Sequence, residues 1–567
     1  MTDAAAQAED ELEACFREVQ TLCNQRGLSP VRLADAPNGR LGVQLQGATR
    51  SWDLDIDCGG ESLTSLPSVW LRPPRPLLAH VGYGGAVCVN DGQGMSLDPE
   101  RRPELVAFTA LAAFDLLEKS AVDAATGLVE FYNEFEGNWL GLPDSRKSRA
   151  AVDVDGKDRL VSVYVNAKGK TPKWYFTERD TPAPREFRIK DLAPRRALYV
   201  HLDSPIEPPV HPARLDVKFV EAVYARLTPA QLALWDKLVG PSKNGAKLLG
   251  LLVSVPRAAG GLSLVGMSFT AHRGNIDPKG EVWPLTVRRH TAKYMRERGG
   301  ASLDLYGKHV VIFGCGAIGA EVADALAAAG VGRLTLVDHD DFTEDNVFRH
   351  VLEPLWIDFP KVTGLQFEFE RKYPGLEVVA VPTAAQTWLK TNNLSDVDGV
   401  VLAFGLPTLE RSFARALRKT SKQIPVAFTW LEPLDLGGHS VLIWSQGEGC
   451  LDCLYRDEEG QQVLYPRTSF MEPNQHVSRN LTGCSSVFVP FGALQARRTA
   501  LMAAEHMLAA LTGVVGPSYR FWVGEGSAAG AQGLRTTAWW QQAPAVTSAD
   551  ATRSVFGRPC RHCRDAA

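Results

Sequence analysis

Residues 308–340 read KHVVIFGCGAIGAEVADALAAAGVGRLTLVDHD. A short apolar run, 308–313, meets three glycines, Gly314, Gly316 and Gly319. An alanine-rich stretch, 317–329, follows, and a second apolar run, 333–337, ends on Asp338. This order predicts strand, tight turn, helix, strand. Glycines let the backbone turn sharply and approach a ligand. The helix N-terminus behind them offers free N–H groups and the positive end of its dipole to phosphate. An acid at the end of the next strand accepts hydrogen bonds from ribose hydroxyls. The glycine spacing alone also suits a structural turn, but its place between strand and helix favours a nucleotide.

The alternation continues outward. Residues 362–373 are predicted helical, 376–381 and 399–404 extended, 409–419 helical and 425–430 extended. Such alternation predicts a doubly wound α/β domain with a mostly parallel sheet. After the second strand the chain reads DHDDFTEDNVFRH, residues 338–350, and Lys361 follows. Arg349 and Lys361 suit a clamp on a triphosphate, and Asn346 a hydrogen bond to it. Singly, each reads as part of a solvated loop. Together, after a glycine turn, they favour phosphate.

Cysteines mark three further places. Cys450 and Cys453 form one C-x-x-C pair, and Cys560 and Cys563 another. Four thiolates in two such pairs suit a closed tetrahedral Zn²⁺ site, with His562 a bystander; the competing reading is a degenerate site that holds no metal. Cys484, in 480–486 (NLTGCSS), precedes a predicted helix over 491–511. A loop cysteine before a helix favours thiolate, although a single cysteine is more often an ordinary buried one. Cys88 ends the glycine-rich run 79–89, with His80 ahead of it. The pattern gives Cys88 a structural reading by default.

The N-terminal third predicts a helix over 7–27, antiparallel strands over 40–46 and 51–56, and a helix over 102–119. Residues 150–280 predict strands at 160–165, 174–176 and 197–202, with one amphipathic helical section at 217–238. Basic and acidic residues number 61 and 65, a net charge of -4, so no global charge draws the chain to nucleic acid or an anionic membrane. The best apolar run, 248–255, falls well short of a bilayer span, and 1–13 lacks a signal peptide's basic start. A cytoplasmic location is expected, where ten cysteines serve catalysis or metal rather than disulfides.

The segment from Gly314 to Lys361 resembles the ATP site of the ThiF/MoeB-like and ubiquitin-activating adenylyltransferases, whose pattern is Gly-x-Gly-x-x-Gly, Asp-x-Asp, Asn-x-x-Arg-Gln/His, then Lys. The resemblance implies ATP and Mg²⁺ as cofactors, Asp338 on the ribose, and Asn346, Arg349 and Lys361 on the phosphates. It also implies a homodimer whose partner supplies an arginine, for which Arg289 stands at about the matching place. Ala403 occupies the position of the family's Mg²⁺-binding aspartate, leaving Asp340 or Asp398 to compensate. Cys484 matches the family's thioester-forming cysteine.

Residues 1–140, ordered as helix, strands, Pro-rich turn, His80, Cys88 and helix, resemble a ubiquitin-conjugating enzyme. Glu130-Phe131, Glu134-Phe135 and Asn138-Trp139 resemble a motif of the bacterial conjugating-like family. The usual His-Pro-Asn is here His80-Val81-Gly82, which leaves backbone N–H groups near Gly84 and Gly85, or Asn90, to hold an oxyanion. Residues 1–140, a strand-rich connecting domain over 141–280 and an adenylation domain over 281–567 together resemble the bacterial fused activating–conjugating ligases. These occur in antiphage operons with cGAS-like nucleotidyltransferases and in ubiquitination-like operons. The resemblance implies activation of the C-terminal carboxylate of a ubiquitin-like protein or a cGAS-like nucleotidyltransferase. The acyl group would pass through Cys484 and Cys88 to a target amine, with no direct nucleic-acid or membrane partner. Three other readings stay open: an ATP-binding scaffold with impaired adenylation, a NAD-dependent oxidoreductase, and a sulfur-carrier activator.

Overall fold

The apolar run at 248–255 lies within a strand buried on both sides, Lys247–Pro256, and explains the middle third of the chain. The computed structural model describes all residues except 1, 38, 59–64, 76, 91–93, 167–172, 180, 182–193, 241–245, 482–486, 559 and 564–567. The described chain forms two compact units, 1–291 and 292–567.

The first unit opens with α1 (Thr2–Gln25) and a five-stranded antiparallel meander. Its strands are β1 (Val31–Leu33), β2 (Arg40–Gln46), β3 (Ser51–Asp57), β4 (Val69–Arg72) and β5 (Ala86–Val87). Strand alternation puts Leu41, Val43 and Leu45 of β2 and Trp52, Leu54 and Ile56 of β3 on one face. That face is covered by Cys15, Val19 and Cys23 of α1 and by α2 (Arg102–Val122), which presents Val106, Ala110, Ala113 and Leu117 at helical spacing. The run 79–89 is extended only at Ala86–Val87. Gly85, at φ +85°, closes a turn onto Gly82, where a Cβ would sit 2.6 Å from the Leu71 carbonyl.

A closed barrel follows. Its strands are β6 (Arg146–Ala151), β7 (Arg159–Asn166), β8 (Lys173–Thr177), β9 (Arg195–His201), β10 (Lys247–Pro256), β11 (Leu262–His272) and β13 (Trp283–Arg289), with β12 (Asn275–Ile276) a short extension of β11. They pair in the order β10-β9-β7-β8-β6-β13-β11, and β11 closes the ring antiparallel to β10. Inside stand Val161, Val163, Phe176, Ala197, Tyr199 and Leu252. Outside, Leu198 and Val200 of β9 and Leu249, Leu251, Val253 and Val255 of β10 are covered by helices. These strands read as unbroken apolar runs because both faces are buried.

The covering helices are α3 (Ala124–Asn133), α4 (Phe135–Leu140), α5 (Val217–Tyr224) and α6 (Pro229–Val239). The single helical section predicted at 217–238 is therefore two helices. Thr228 caps the second in a reciprocal box with Gln231, and Pro229 at its first turn cannot donate to a continuing helix. Phe131, Phe135 and Trp139 lock α3 and α4 onto the barrel, and the Trp139 indole donates to the Gly266 carbonyl at 3.0 Å.

In the second unit, α7 (Ala292–Arg298) precedes the α/β domain. Its parallel strands are β14 (His309–Phe313), β15 (Arg333–Val337), β16 (Glu377–Val381), β17 (Gly399–Leu402) and β18 (Pro425–Glu432). The sheet order is β16-β15-β14-β17-β18, extended antiparallel by β19 (Gly437–Trp444) and β22 (Ser518–Val523). A two-residue ladder, β20 (Arg479–Asn480) with β21 (Val487–Phe488), brackets 482–486. On one face pack α8 (Ala317–Ala329), α9 (Lys361–Lys372) and α12 (Ala493–Leu511). On the other lie α10 (Ala385–Thr391), α11 (Pro407–Leu417) and the helix Ser548–Phe556. Among the described residues no helix is long and apolar enough to cross a membrane.

Trp139→Ala is expected to destabilise the first unit by about 3–5 kcal/mol, because it opens a cavity and strips the Gly266 carbonyl of its partner. Urea unfolding followed by circular dichroism measures the loss.

Candidate active site

Between β14 and β17 the sheet connections reverse direction, and a crevice opens at the carboxyl ends of the strands, where α/β folds bind ligands. Gly314, at φ +83°, takes a backbone conformation that side chains resist. A Cβ on Gly319 would lie 1.8 Å from the Gly314 carbonyl oxygen, so the first turn of α8 presses directly on the loop. A Cβ on Gly316, the N-cap of α8, would meet nothing within 4 Å. The loop is thus tight behind and open in front of a helix N-terminus, a shape that accepts phosphate.

Asp338 ties this loop to the end of β15. Its Oδ2 accepts the Cys315 N–H at 2.6 Å and its Oδ1 the Asp340 N–H at 2.8 Å. Lys361, buried at the start of α9, donates from Nζ to Asp340 Oδ2 at 2.9 Å. His350 supports the same loop: the Leu352 N–H donates to its Nδ1 at 3.2 Å, which leaves Nε2–H to donate to the Cys315 carbonyl at 2.9 Å. Burial, aided by Lys361, pushes this imidazole down to about 4, so it stays neutral. Asn346 Oδ1 accepts from the Thr343 N–H at 3.1 Å, and the Arg349 guanidinium lies 4.9 Å over the ring of Phe491.

A cavity of about 380 Å³ lies on the β17–β18 side of the loop, lined among others by Gly316, Ala317, Ala403, Trp430, Tyr455 and Phe491. Ala403 packs its backbone against Gly314. Asp398 does not reach this crevice: it precedes β17 at the opposite end of the sheet and accepts the His309 N–H at 3.0 Å. The side chain that does line the cavity, and that sequence reading misses, is Glu410. It is buried in the first turn of α11, accepts the Gly405 N–H at 3.1 Å, and is pushed up to about 7 by burial. Its only sequence signal is an acid just inside a Pro-initiated helix.

The two C-x-x-C pairs meet. Sulfur–sulfur separations are 3.9 Å for Cys450–Cys453 and 3.7 Å for both Cys450–Cys560 and Cys453–Cys563, with all four side chains buried. These are too long for a disulfide and match the ~3.8 Å edges of a tetrahedron with metal–sulfur bonds of about 2.3 Å. His562 is exposed. Asp452, between the first two ligands, is buried against Arg411 and Arg415 of α11 at 2.7 and 2.9 Å.

Cys88 is exposed. It shares a cavity of about 600 Å³ with His80, Glu134, Asn138, Arg257 and Ser263. Arg289 lies in β13, where its guanidinium pairs with Glu136. Cys484 lies outside the described residues.

Residues 289–523 match the ThiF family, which makes the second unit a ThiF-type α/β domain. Along most of its length the chain is similar to the ATP-dependent ubiquitin transferase-like protein Cap2 of Pseudomonas aeruginosa (strain BWHPSA011 / Pa011). The two are 27% identical over 493 residues, 80% of this chain and 84% of that protein. It is also similar to the adenylyltransferase and sulfurtransferase MOCS3 of Mus musculus, 41% identical over 81 residues that cover 14% of this chain and 18% of that protein. A solved structure of E. coli MccB with ATP is 17% identical over 41% of this chain and 64% of that one, with a TM-score of 0.29; this chain thus covers less than two thirds of it. The chain is thus similar to Cap2 over most of its length and carries a ThiF-type domain in its second unit.

Between its unfolded value of 4.5 and its folded value of about 7, Glu410 is protonated in the native chain and ionised in the unfolded one. The unfolded state then binds fewer protons, so stability falls as pH rises through this window, by at most about 3 kcal/mol. Glu410→Gln should flatten the difference in melting temperature between pH 5 and pH 8, read by calorimetry against the wild type.

Proposed function

We propose that this chain activates the C-terminal carboxylate of a protein partner with ATP and conjugates it to a target amine. The observation that carries this reading is the tight, forward-open glycine loop, tied to Asp338, Asp340 and Lys361, in a chain similar to Cap2 over most of its length. The partner is a ubiquitin-like protein or the C-terminus of a cGAS-like nucleotidyltransferase, in antiphage defence, and the active form is a homodimer. Residues 1–140 act as the conjugating-like part, 141–280 as the connecting part and 281–567 as the adenylating part.

In the first step the partner's carboxylate attacks the α-phosphorus of ATP, forming an acyl-adenylate and releasing pyrophosphate. Gly314, Gly316 and Gly319 receive the phosphates, with Arg349, Lys361 and Asn346 beside them, and Asp338 holds the ribose. With Asp398 at the far end of the sheet, Asp340 is the residue that would hold Mg²⁺ in place of the missing aspartate. The ion would neutralise phosphate charge. Cys484 thiolate then displaces AMP, Cys88 thiolate displaces Cys484, and an amine displaces Cys88 to leave an amide. Thiolates suit each handover because they attack well and leave acceptably. Zn²⁺ suits the four buried thiolates in a structural role, pinning 560–563 to the domain.

Lys361→Ala should lower ATP–pyrophosphate exchange with the partner by a factor of about 100 or more. Cys88→Ala should keep the Cys484 adduct on a non-reducing gel and abolish target modification, whereas Cys484→Ala removes both. Wild-type conjugation by Cys484→Ala would overturn the relay, and ATP binding without exchange would reduce the chain to a scaffold.

Cys453→Ser should reduce bound zinc, measured by plasma mass spectrometry, from one per chain toward none. It should also expose 560–563 to protease.

A further inference from the structure

The cavity that holds Cys88 carries a second, unassigned pair of titratable groups. Its walls come from three places: the turn before Cys88, the junction of α3 and α4, and Arg257 and Ser263 at the β10–β11 hairpin. Val81 and Val87 face each other across the turn, and the Cys88 N–H donates to the His80 carbonyl at 2.8 Å. His80 and Cys88 are therefore fixed side by side. His80 sits at φ +60°, a left-handed conformation that costs a non-glycine residue about 1–2 kcal/mol. Such strain persists where surrounding structure holds it, and often at functional sites. Here the backbone is held by the Cys88 N–H bond to the His80 carbonyl and the Val81–Val87 bridge, and the ring is met by Glu134, whose Oε1 lies 3.1 Å from His80 Nδ1. Glu134 stands between α3 and α4, which Phe131, Phe135 and Trp139 lock to the barrel.

A carboxylate on Nδ1 fixes the imidazole tautomer and leaves Nε2 to accept a proton. We propose that His80, oriented by Glu134, is the base that accepts a proton from a lysine-type amine as it attacks an acyl thioester on Cys88. The proposal rests on the reading of Cys88 as an acyl carrier. A lysine amine, with a pKa near 10.4, is almost wholly protonated at neutral pH and cannot attack as such. The ammonium first gives one proton to water; in the step, the nitrogen of the neutral amine bonds to the carbonyl carbon while its N–H proton moves to His80 Nε2. The tetrahedral intermediate collapses with cleavage of the carbon–sulfur bond, the pair leaving on Cys88 sulfur. The imidazolium then returns its proton to that thiolate or to water. Glu134 also places negative charge beside the approach of a cationic amine. His80 is thus a catalytic residue and Glu134 a positioning residue.

The test uses the full chain and two nucleophiles. Cys88 is loaded with a glycine-terminated peptide supplied as its mercaptoethanesulfonate thioester, and peptide mapping locates the adduct. Discharge is then followed by intact mass with free lysine and, separately, with hydroxylamine, an unprotonated nucleophile at neutral pH that needs no base. The variant His80→Asn keeps a residue that tolerates the left-handed backbone. It should slow lysine discharge about 100-fold more than hydroxylamine discharge, in line with the usual range for general bases. Glu134→Gln should show the same selective loss at about 10-fold, partly restored in Glu134→Asp. Parallel loss with both nucleophiles, or no loss with lysine, overturns the base assignment while leaving Cys88 as carrier. A wild-type Cys88 that takes up no acyl group overturns the carrier reading itself.

Discussion

Gly319 and Gly314 approach so closely that even one added methyl would overlap a carbonyl oxygen, and this contact sets the geometry of the loop from β14 into α8 on which the crevice is built. It forces the chain to leave β14 through a left-handed residue and to enter α8 at once. The backbone N–H groups at that entry need partners, and Asp338 supplies one by accepting from Cys315. Because Asp338 ends the neighbouring strand, one carboxylate joins two strand ends and the loop between them. His350 fastens the other side of the loop through the Cys315 carbonyl. The neutrality of that histidine matters. A protonated ring would bring a second cation near Lys361, and its displaced position on the titration scale is partly that repulsion.

The four-cysteine cluster acts on the same crevice from behind. Asp452 lies between two cluster cysteines and holds Arg411 and Arg415, both on α11. One position before Arg411, Glu410 turns into the cavity and accepts the N–H of Gly405. The cluster therefore fixes the helix that carries the buried carboxyl of Glu410, which lines the pocket. With Ala403 in place of an acid, that carboxyl gives the β17 side of the crevice a different electrostatic character from an aspartate-bearing site. Below its ionisation point it opposes no incoming carboxylate. Above it, the crevice gains a negative charge.

The sequence was informative where local chemistry decides the structure. The helix Ala317–Ala329 and strand Arg333–Val337 lie where composition and glycine spacing put them. The cysteine pairs were legible because ligand spacing is a local property. The barrel was not, since β6 pairs with β13 and β9 with β10 across long insertions, and closure follows from no single stretch. Only β7, β8 and β9 were visible as strands, at 160–165, 174–176 and 197–202; the remaining strands and the shared curvature were not. The division of 217–238 into two helices was readable in Thr228-Pro229, a capping residue followed by a residue suited to a helix start. Glu410 and Glu134 had no readable role, because each takes its meaning from a neighbour distant in the chain or from its burial.

The barrel's place in the first unit changes what its helices mean. Phe131, Phe135 and Trp139 are core residues by every measure of burial, and their spacing is that of a helix face seeking a partner. Packing alone would account for them. Yet the same rigid face places Glu134 and Asn138 into the cavity beside an exposed cysteine, with Arg257 and Ser263 of the barrel opposite. The aromatic spacing and the polar residues between them thus serve one end: the first anchors the helices, and the second places Glu134 against the His80 ring. A looser anchor would let Glu134 move away from the His80 ring.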